Sequence, residues 1–289
     1  RKEDDSMVAG EDEAGIYRAL GLEWIPPELR EDRGEVEAAS KEALPDLLPY
    51  GSIRGDLQVH TRWSDGSHTI EEMAQAARTM GYEYLAVTDH TGTLRIARGL
   101  DEERIRKQGR EIDRLNRGME DFVLLKGVEV NIKRDGQLDV RSDVLADLDV
   151  VVGSVHSGFR MSRKDMTDRI VAAMENEHVD IVAHPTGRLL GERRGYEVDM
   201  GKLIAAAKET GTFFEINAFP SRLDLDDVHV RRVVEEGARL VISTDAHSVD
   251  QLRYMDLGVA TARRGWATAD HVVNTLGLED LRVGLKGWS

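Results

Sequence analysis

Seven short apolar runs along this chain are each followed by side chains able to hold a metal ion. Gln58, His60 and Asp65 follow the first run, and Asp89 and His90 the second. The third carries Glu129, the fourth leads to His156 and the fifth to His184. The sixth ends in Glu215-Ile216-Asn217 and the seventh in Asp245-Ala246-His247. Nitrogen and carboxylate-oxygen donors without thiolate suit Zn, Mn or Fe. The chain has no cysteine, which excludes disulfides, thiolate metal sites and a cysteine nucleophile. There are more donors than one ion needs, so two or three divalent ions are expected. Clustered cations about 3.5–4 Å apart bind phosphate, generate hydroxide near neutral pH and stabilise a leaving oxygen. Phosphate-ester hydrolysis needs that charge stabilisation.

A lone histidine on a strand is more often a core or surface residue than a ligand. Regular recurrence at strand ends is what argues for a cluster. His178, before a strand, and His229 and His271, in helical stretches, lack that placement and read as structural. His68 falls near the cluster at a helix start and is not counted as a ligand.

Positioning these groups requires strands over 56–60, 84–88, 123–130, 150–155, 180–183, 212–216 and 240–243. Helical periodicity fills the gaps over 69–80, 102–117, 164–175, 200–209 and 228–236. Thr69 and Glu72 form a capping-box pattern at the first of these. The alternation predicts βαβ units around a parallel sheet, an α/β barrel whose C-terminal strand ends converge on one rim.

A prior of about 150 residues per domain suggests two domains for 289 residues, although α/β barrels of about 250 residues are commonly single. Residues 1–52 read differently from the rest: acidic, with a short apolar run at Ile16, Tyr17, Ala19, Leu20 and Leu22, then Pro26-Pro27, a charged run over 28–37, Pro45 and Pro49. They are expected to be the tail of a preceding domain plus a linker, with the catalytic domain over 53–289. The first residue is Arg rather than Met, so a piece of a longer protein is expected. The net charge of −15 argues against broad nucleic-acid binding, unless bound cations or a separate basic domain offset it. The charged start is no signal peptide, and no run approaches the roughly 18 apolar residues of a membrane span. A cytoplasmic protein with no membrane partner is expected.

Gly55-Asp56-Leu57-Gln58-Val59-His60-Thr61 with Ser64-Asp65-Gly66 resembles the first motif of the PHP (polymerase and histidinol phosphatase) family. Thr88-Asp89-His90, Gly127-Val128-Glu129, Ser154-Val155-His156, Ala183-His184-Pro185 and Ser243-Thr244-Asp245-Ala246-His247 resemble its later motifs in order. More narrowly, 183–188, Glu215-Ile216-Asn217, Arg222-Leu223-Asp224-Leu225 and 258–262 look like the PHP domain of bacterial and archaeal family X DNA polymerases. The leading segments 16–21 and 25–31 look like the junction after the polymerase core. The resemblance implies a distorted seven-stranded, TIM-like (β/α)7 barrel with a trinuclear site. Gln58, His60, Glu129 and Asp245 would surround one ion; Glu129, His156 and His184 a second; Asp65, His90 and His247 a third. It implies a 3′→5′ exonuclease acting on DNA 3′ ends, with Mn2+ for activity and Zn2+ or Fe2+ as alternatives. It also implies partnership with a polymerase region of the same chain, and no DNA synthesis by these residues alone. The family's first motif is usually His-x-His, and Gln58 departs from it. A weaker, neutral donor there would hold the first ion loosely or favour Mn.

His184 or Asp245 is expected to shuttle the proton, with no choice between them. Arg188, Arg193 and Arg194 follow the fifth strand, and Arg95 and Arg98 the second. At the rim they would grip phosphate, or else belong to solvated loops. Asn217 would contact substrate or loop backbone, and Asp89 would orient a ligand. The rival functions are a small-molecule phosphatase and a structural module that keeps its metals only for stability.

Overall fold

The computed structural model describes residues 9–92 and 97–288. Seven parallel strands pair in sequence order: β1 (Gly55–Val59), β2 (Tyr84–Val87), β3 (Val123–Asn131), β4 (Val150–Ser154), β5 (Ile181–Val182), β6 (Phe213–Asn217) and β7 (Leu240–Ser243). A parallel bridge between Val59 and Ala246 brings β7 back to β1, so the sheet is a nearly closed barrel. All residues of β1, β2, β4, β6 and β7 are buried, as expected for strands covered on both faces.

The crossover helices are α3 (Ile70–Thr79), α4 (Glu102–Asn116), α6 (Arg163–Met174), α7 (Met200–Thr210) and α8 (Asp227–Glu236), with the single turn α5 (Ser142–Leu145) between β3 and β4. Their starts are set by side-chain caps: the Thr69–Glu72 capping box, then Asp101, Ser162, Asp199 and Asp226. The helix α9 (Met255–Arg264) has no counterpart among the sequence-predicted helices. It lies tight on β6 and β7, where a Cβ at Gly258 would come within 2.3 Å of Ile242. The C-terminal α10 (Leu278–Gly284) closes the chain.

The barrel interior is apolar at its lower end. Leu57, Tyr84, Leu125, Val152, Ile181, Phe213 and Val241 pack there against Val273, Leu281 and Leu285 of the C-terminal segment. Asn274, fully buried, ties this floor to the seam of the barrel. Its amide donates to Gly55 O at 2.8 Å and Ile242 O at 2.7 Å, and its Oδ1 accepts from Ile242 N. A plugged floor leaves the opposite rim as the open end.

Before β1 come α1 (Glu13–Ala19) and α2 (Glu35–Ser40). Ile25, Leu29, Ala39 and Leu47 are buried in a small cluster that includes Trp266. Arg263 Nε donates to Glu28 Oε1 at 2.7 Å, and Arg264 pairs with Glu31 at 2.8 Å. The stretch from Ile25 to Leu48 is therefore anchored along α9 rather than tethered. Its apolar residues are too widely spaced to show periodicity in sequence. Among the described residues, no helix is long and apolar enough to cross a membrane.

Candidate metal centre

The inward alternation of β3 places Glu129 at the middle of the rim, 1% exposed, with ligand-type side chains from four other strand ends around it. His156 Nε2 lies 3.3 Å and His184 Nε2 3.2 Å from its Oε1. His90 Nδ1 lies 2.9 Å and His60 Nε2 3.5 Å from its Oε2. His60 Nε2 is 2.9 Å from Asp245 Oδ1. Asp65 stands within 3.7 Å of His90 Nε2 and 3.5 Å of His247 Nε2. Three overlapping groups have donor atoms close enough to share an ion: His60, Asp65, His90 and His247; His90, Glu129 and His156; and His60, Glu129 and Asp245.

The donors fit cations better than they fit one another. His60 Nε2, His90 Nδ1 and Glu129 Oε2 sit at contact distance from opposite groups, yet none makes an aligned hydrogen bond. Lone pairs that crowd one region without sharing protons are what metal ligation requires. The imidazoles also crowd each other, with His60 stacked 4.4 Å from His90 and 4.2 Å from His247. Burial opposes protonation of His90, but Glu129 and then Asp65 push its pKa up to about 9. His247 likewise resists burial and rises to about 9 beside Asp65 and Asp245. Burial and nearby Arg222 hold His184 down at about 4, whereas burial, His247 and His90 lower His60. Divalent ions would resolve this conflict by neutralising the carboxylates and accepting the imidazole lone pairs.

Gln58 is fully buried, and both its amide atoms lack hydrogen-bond partners. A neutral amide oxygen left unpaired beside His60 fits a cation more readily than an apolar core.

Buried carboxylates brace the loops that carry the candidate ligands. Asp89 does not orient His90; it accepts from Thr61 N at 2.8 Å, Thr61 Oγ1 at 2.6 Å, Ser64 and Gln108, fixing the turn between His60 and Asp65. Asp56 accepts from Thr244 beside Asp245. Asp224 accepts from Thr186 N and Oγ1, and Glu215 Oε2 accepts from His184 N at 2.7 Å. His184 and Asp245 both hold positive φ, 30° and 54°, a conformation that side chains other than Gly tolerate only when their surroundings impose it. Burial first, then Asp245, raises the Glu215 pKa well above the ordinary carboxyl range.

Asn217 is spent on this bracing: its amide donates to Glu215 Oε2 and Asp245 Oδ2, each at 3.1 Å, and its Oδ1 accepts from Phe219 N. It is fully buried and positions Asp245, so it is not a substrate contact. Arg188 is also committed, to Arg222 O at 2.8 Å, to Leu223 O and to Asp226 at 3.2 Å, and holds the loop after β6 instead of standing free for phosphate. Arg193 gives two N–H groups to Gly187 O and keeps a half-buried guanidinium at the rim. Arg194 and Arg98 are exposed. Arg95 lies outside the described residues.

Two residues absent from the sequence-predicted site belong to it. Arg222 places Nε 3.5 Å from Asp245 Oδ2 and is 19% exposed, a cation beside the ligands. Its signal is the stretch Arg222-Leu223-Asp224-Leu225, whose family resemblance by itself gives the arginine no role. Asn131 Oδ1 accepts from His156 Nδ1 at 2.8 Å, and its amide is held by Asp139 at 2.8 Å, which directs His156 Nε2 toward Glu129. The signal for Asn131 is its place two residues beyond Glu129 on an alternating strand.

A family model described as PHP domain matches residues 56–218, and one described as DNA polymerase beta thumb matches residues 1–31. The chain is 47% identical over 274 residues to the DNA polymerase/3′-5′ exonuclease PolX of Bacillus subtilis (strain 168), covering 95% of this chain and 48% of that relative. It therefore spans about half the length of that protein. It is 31% identical over 201 residues to a protein of Acetivibrio thermocellus named a probable phosphatase, covering 66% of this chain and 78% of the relative. Among solved structures, histidinol phosphate phosphatase from Lactococcus lactis, complexed with Zn, L-histidinol and phosphate, superposes with a TM-score of 0.53 at 14% identity, over 74% of this chain and 95% of that one. At that identity the likeness concerns the fold.

Proposed function

We propose that this chain, which belongs to the PHP domain family, is a metal-dependent phosphodiesterase that removes nucleotides from DNA 3′ ends. The observation that carries the reading is the ring of imidazole and carboxylate groups around Glu129 at the open end of the barrel, in which buried atoms of His60, His90, His184 and Glu129 have no hydrogen-bond partner. Similarity to a protein named a 3′-5′ exonuclease over 95% of the chain supports DNA as the substrate.

In this reading Gln58, His60, Glu129 and Asp245 would hold one ion, Glu129, His156 and His184 a second, and Asp65, His90 and His247 a third. Mn2+ is assigned for activity, because an amide oxygen at Gln58 is a hard donor. When bound, the ions supply charge that polarises the phosphate and lowers the pKa of water. The chain's own part is to aim and dispose. Arg222 grips the non-bridging phosphate oxygens, with half-buried Arg193 and exposed Arg98 and Arg194 drawing the polyanion toward the rim. Asn131 and Glu215 fix His156 and His184. Proton handling is assigned to His184 and Asp245, both of which feel the charge of Arg222.

The thumb match over residues 1–31 supports a further assignment. Residues 1–52 are the junction that joins a polymerase region to a PHP domain over 53–289, and that region is the partner that would offset the net charge of −15. The substrate and the absence of cysteine fit the cytoplasm. A second reading, hydrolysis of a small phosphate ester, is favoured by the relatives named phosphatases.

The decisive experiment is a nuclease assay on 5′-labelled single-stranded and primed DNA, with Mn2+ and with chelator, beside a His156→Ala control. A ladder of shortened products that needs both metal and His156 is expected. No cleavage at high enzyme concentration, with a small phosphate ester turned over, would transfer the assignment to the second reading.

A further inference from the structure

Beside the metal cluster the rim carries a partly built stack. The Arg193 guanidinium lies 4.0 Å from the centroid of the Phe159 ring. It is held in that plane by two hydrogen bonds to Gly187 O, at 3.2 and 2.8 Å. Phe159 lies nearly parallel to Tyr196, at 12° and 6.3 Å between centroids. Tyr196 is rooted in the fold beneath Gly187, where a Cβ would come within 2.4 Å of its ring. Arg193 and Phe159 are both half-buried, two loop residues separate Phe159 from the candidate ligand His156, and Arg134 lies close to Gly158.

Burial, followed by the charge of Arg222, depresses the Arg193 pKa. Arg222 in turn reaches Asp245 at 3.5 Å. Arg222 beside Asp245 offers an anion-seeking group at the cluster, and the Arg193–Phe159 pair, with Phe159 on the loop that follows His156, offers a flat cationic and aromatic surface next to it. A phosphate with a planar group one nucleoside away matches those two features. Two further aromatics follow strand ends: Trp63 is tied by its indole N–H to Glu111 at 3.1 Å, which presents an acid instead, and Phe219 packs edge-on against Tyr254 at 5.5 Å.

We propose that Arg193 and Phe159 form a nucleobase-stacking subsite for the nucleotide next to the scissile phosphate. The inference rests on the DNA reading above and deepens it: the domain recognises a base with no sequence preference, because every base offers a π-face to a guanidinium or an aromatic ring.

The test uses the full chain and two variants, Phe159→Ala and Phe159→Trp. Binding of a 5′-fluorescent oligo-dT is followed by anisotropy without added metal, and compared with the same oligomer ending in an abasic nucleotide. Hydrolysis of bis(p-nitrophenyl) phosphate with Mn2+ reports the metal centre alone. The expected result is about tenfold weaker oligo-dT binding for Phe159→Ala, recovery with Phe159→Trp, and turnover of the small diester within twofold of wild type. Wild type should lose a similar factor on the abasic end, and Phe159→Ala should not distinguish the two ends. Equal binding by wild type and Phe159→Ala, or an equal loss on oligomer and small diester, overturns the stacking subsite while the DNA reading stands. A wild-type chain that turns over the small diester but neither binds nor shortens oligo-dT sinks the DNA reading and this subsite with it.

Discussion

The two ends of the barrel are built from the same seven strands and do opposite things with their polar groups. At the floor, Asn274 satisfies both sides of its amide against Gly55 and Ile242, and Leu281, Leu285 and Val273 exclude water around it. At the mouth, Gln58, His60, His90, Glu129 and His184 each leave a buried polar atom unpaired. A buried group without a partner costs stability, so the mouth carries an unmet demand that Asn274 at the floor does not. The difference locates where the fold has been shaped for a ligand rather than for itself.

The strongest way to break the comparison is His156→Ala. Removing a donor from the mouth should lower metal-dependent hydrolysis by at least about 100-fold, with the thermal transition of the metal-free protein unmoved. Retained turnover with normal metal content would remove His156 from the centre. The reciprocal change at the floor, Asn274→Ala, should cost about 2–3 kcal/mol of stability in a denaturant melt and leave kcat at 25 °C within twofold; a large loss of kcat would mean the floor is not separate from the chemistry.

The floor should also titrate. Asp180 accepts from Val151 N at 2.8 Å and Lys286 N at 2.7 Å. Burial outweighs those donors and lifts its pKa to about 6. A raised carboxyl pKa means that the folded state binds more protons than the unfolded one, so this contribution is full below about pH 4 and is lost as pH rises through about 6. Stability of the Asp180→Asn variant should show about 2–3 kcal/mol less decline than wild type over that window. Parallel pH curves for the two proteins would refute the assignment. The mildest change sharpens the mouth itself. Gln58→His should tighten Zn2+ binding about tenfold in chelator competition, and unchanged affinity would show that position 58 does not touch the ion.

Much of this was legible without coordinates, and for definable reasons. The ranges of β2, β3 and β7 agree with their apolar runs to within a residue, because fully buried parallel strands read as continuous hydrophobic segments. The Thr69–Glu72 box set the start of α3 from four residues alone. What escaped depends on distant partners. α9 went unread because its contacts with β6, β7 and the leading segment are what hold it. The leading segment's own docking rests on scattered residues, Ile25, Leu29, Ala39 and Leu47, that meet only after folding. Asn217 and Arg188 look in sequence like rim groups facing a substrate, and their donors are instead taken up by the protein.

By itself the sequence determined the order of the seven strands and five of the helices between them, the α/β class and the donor types waiting at successive strand ends, because those follow from local period and from residue chemistry. The tertiary structure decided which carboxylates face the ligand cluster and which brace it. Asp56, Asp89, Glu215 and Asp224 are no different in kind from Asp65 and Asp245. Whether a buried carboxylate meets N–H donors or imidazole nitrogens depends on the curvature of the closed sheet, and that is a property of all seven strands together.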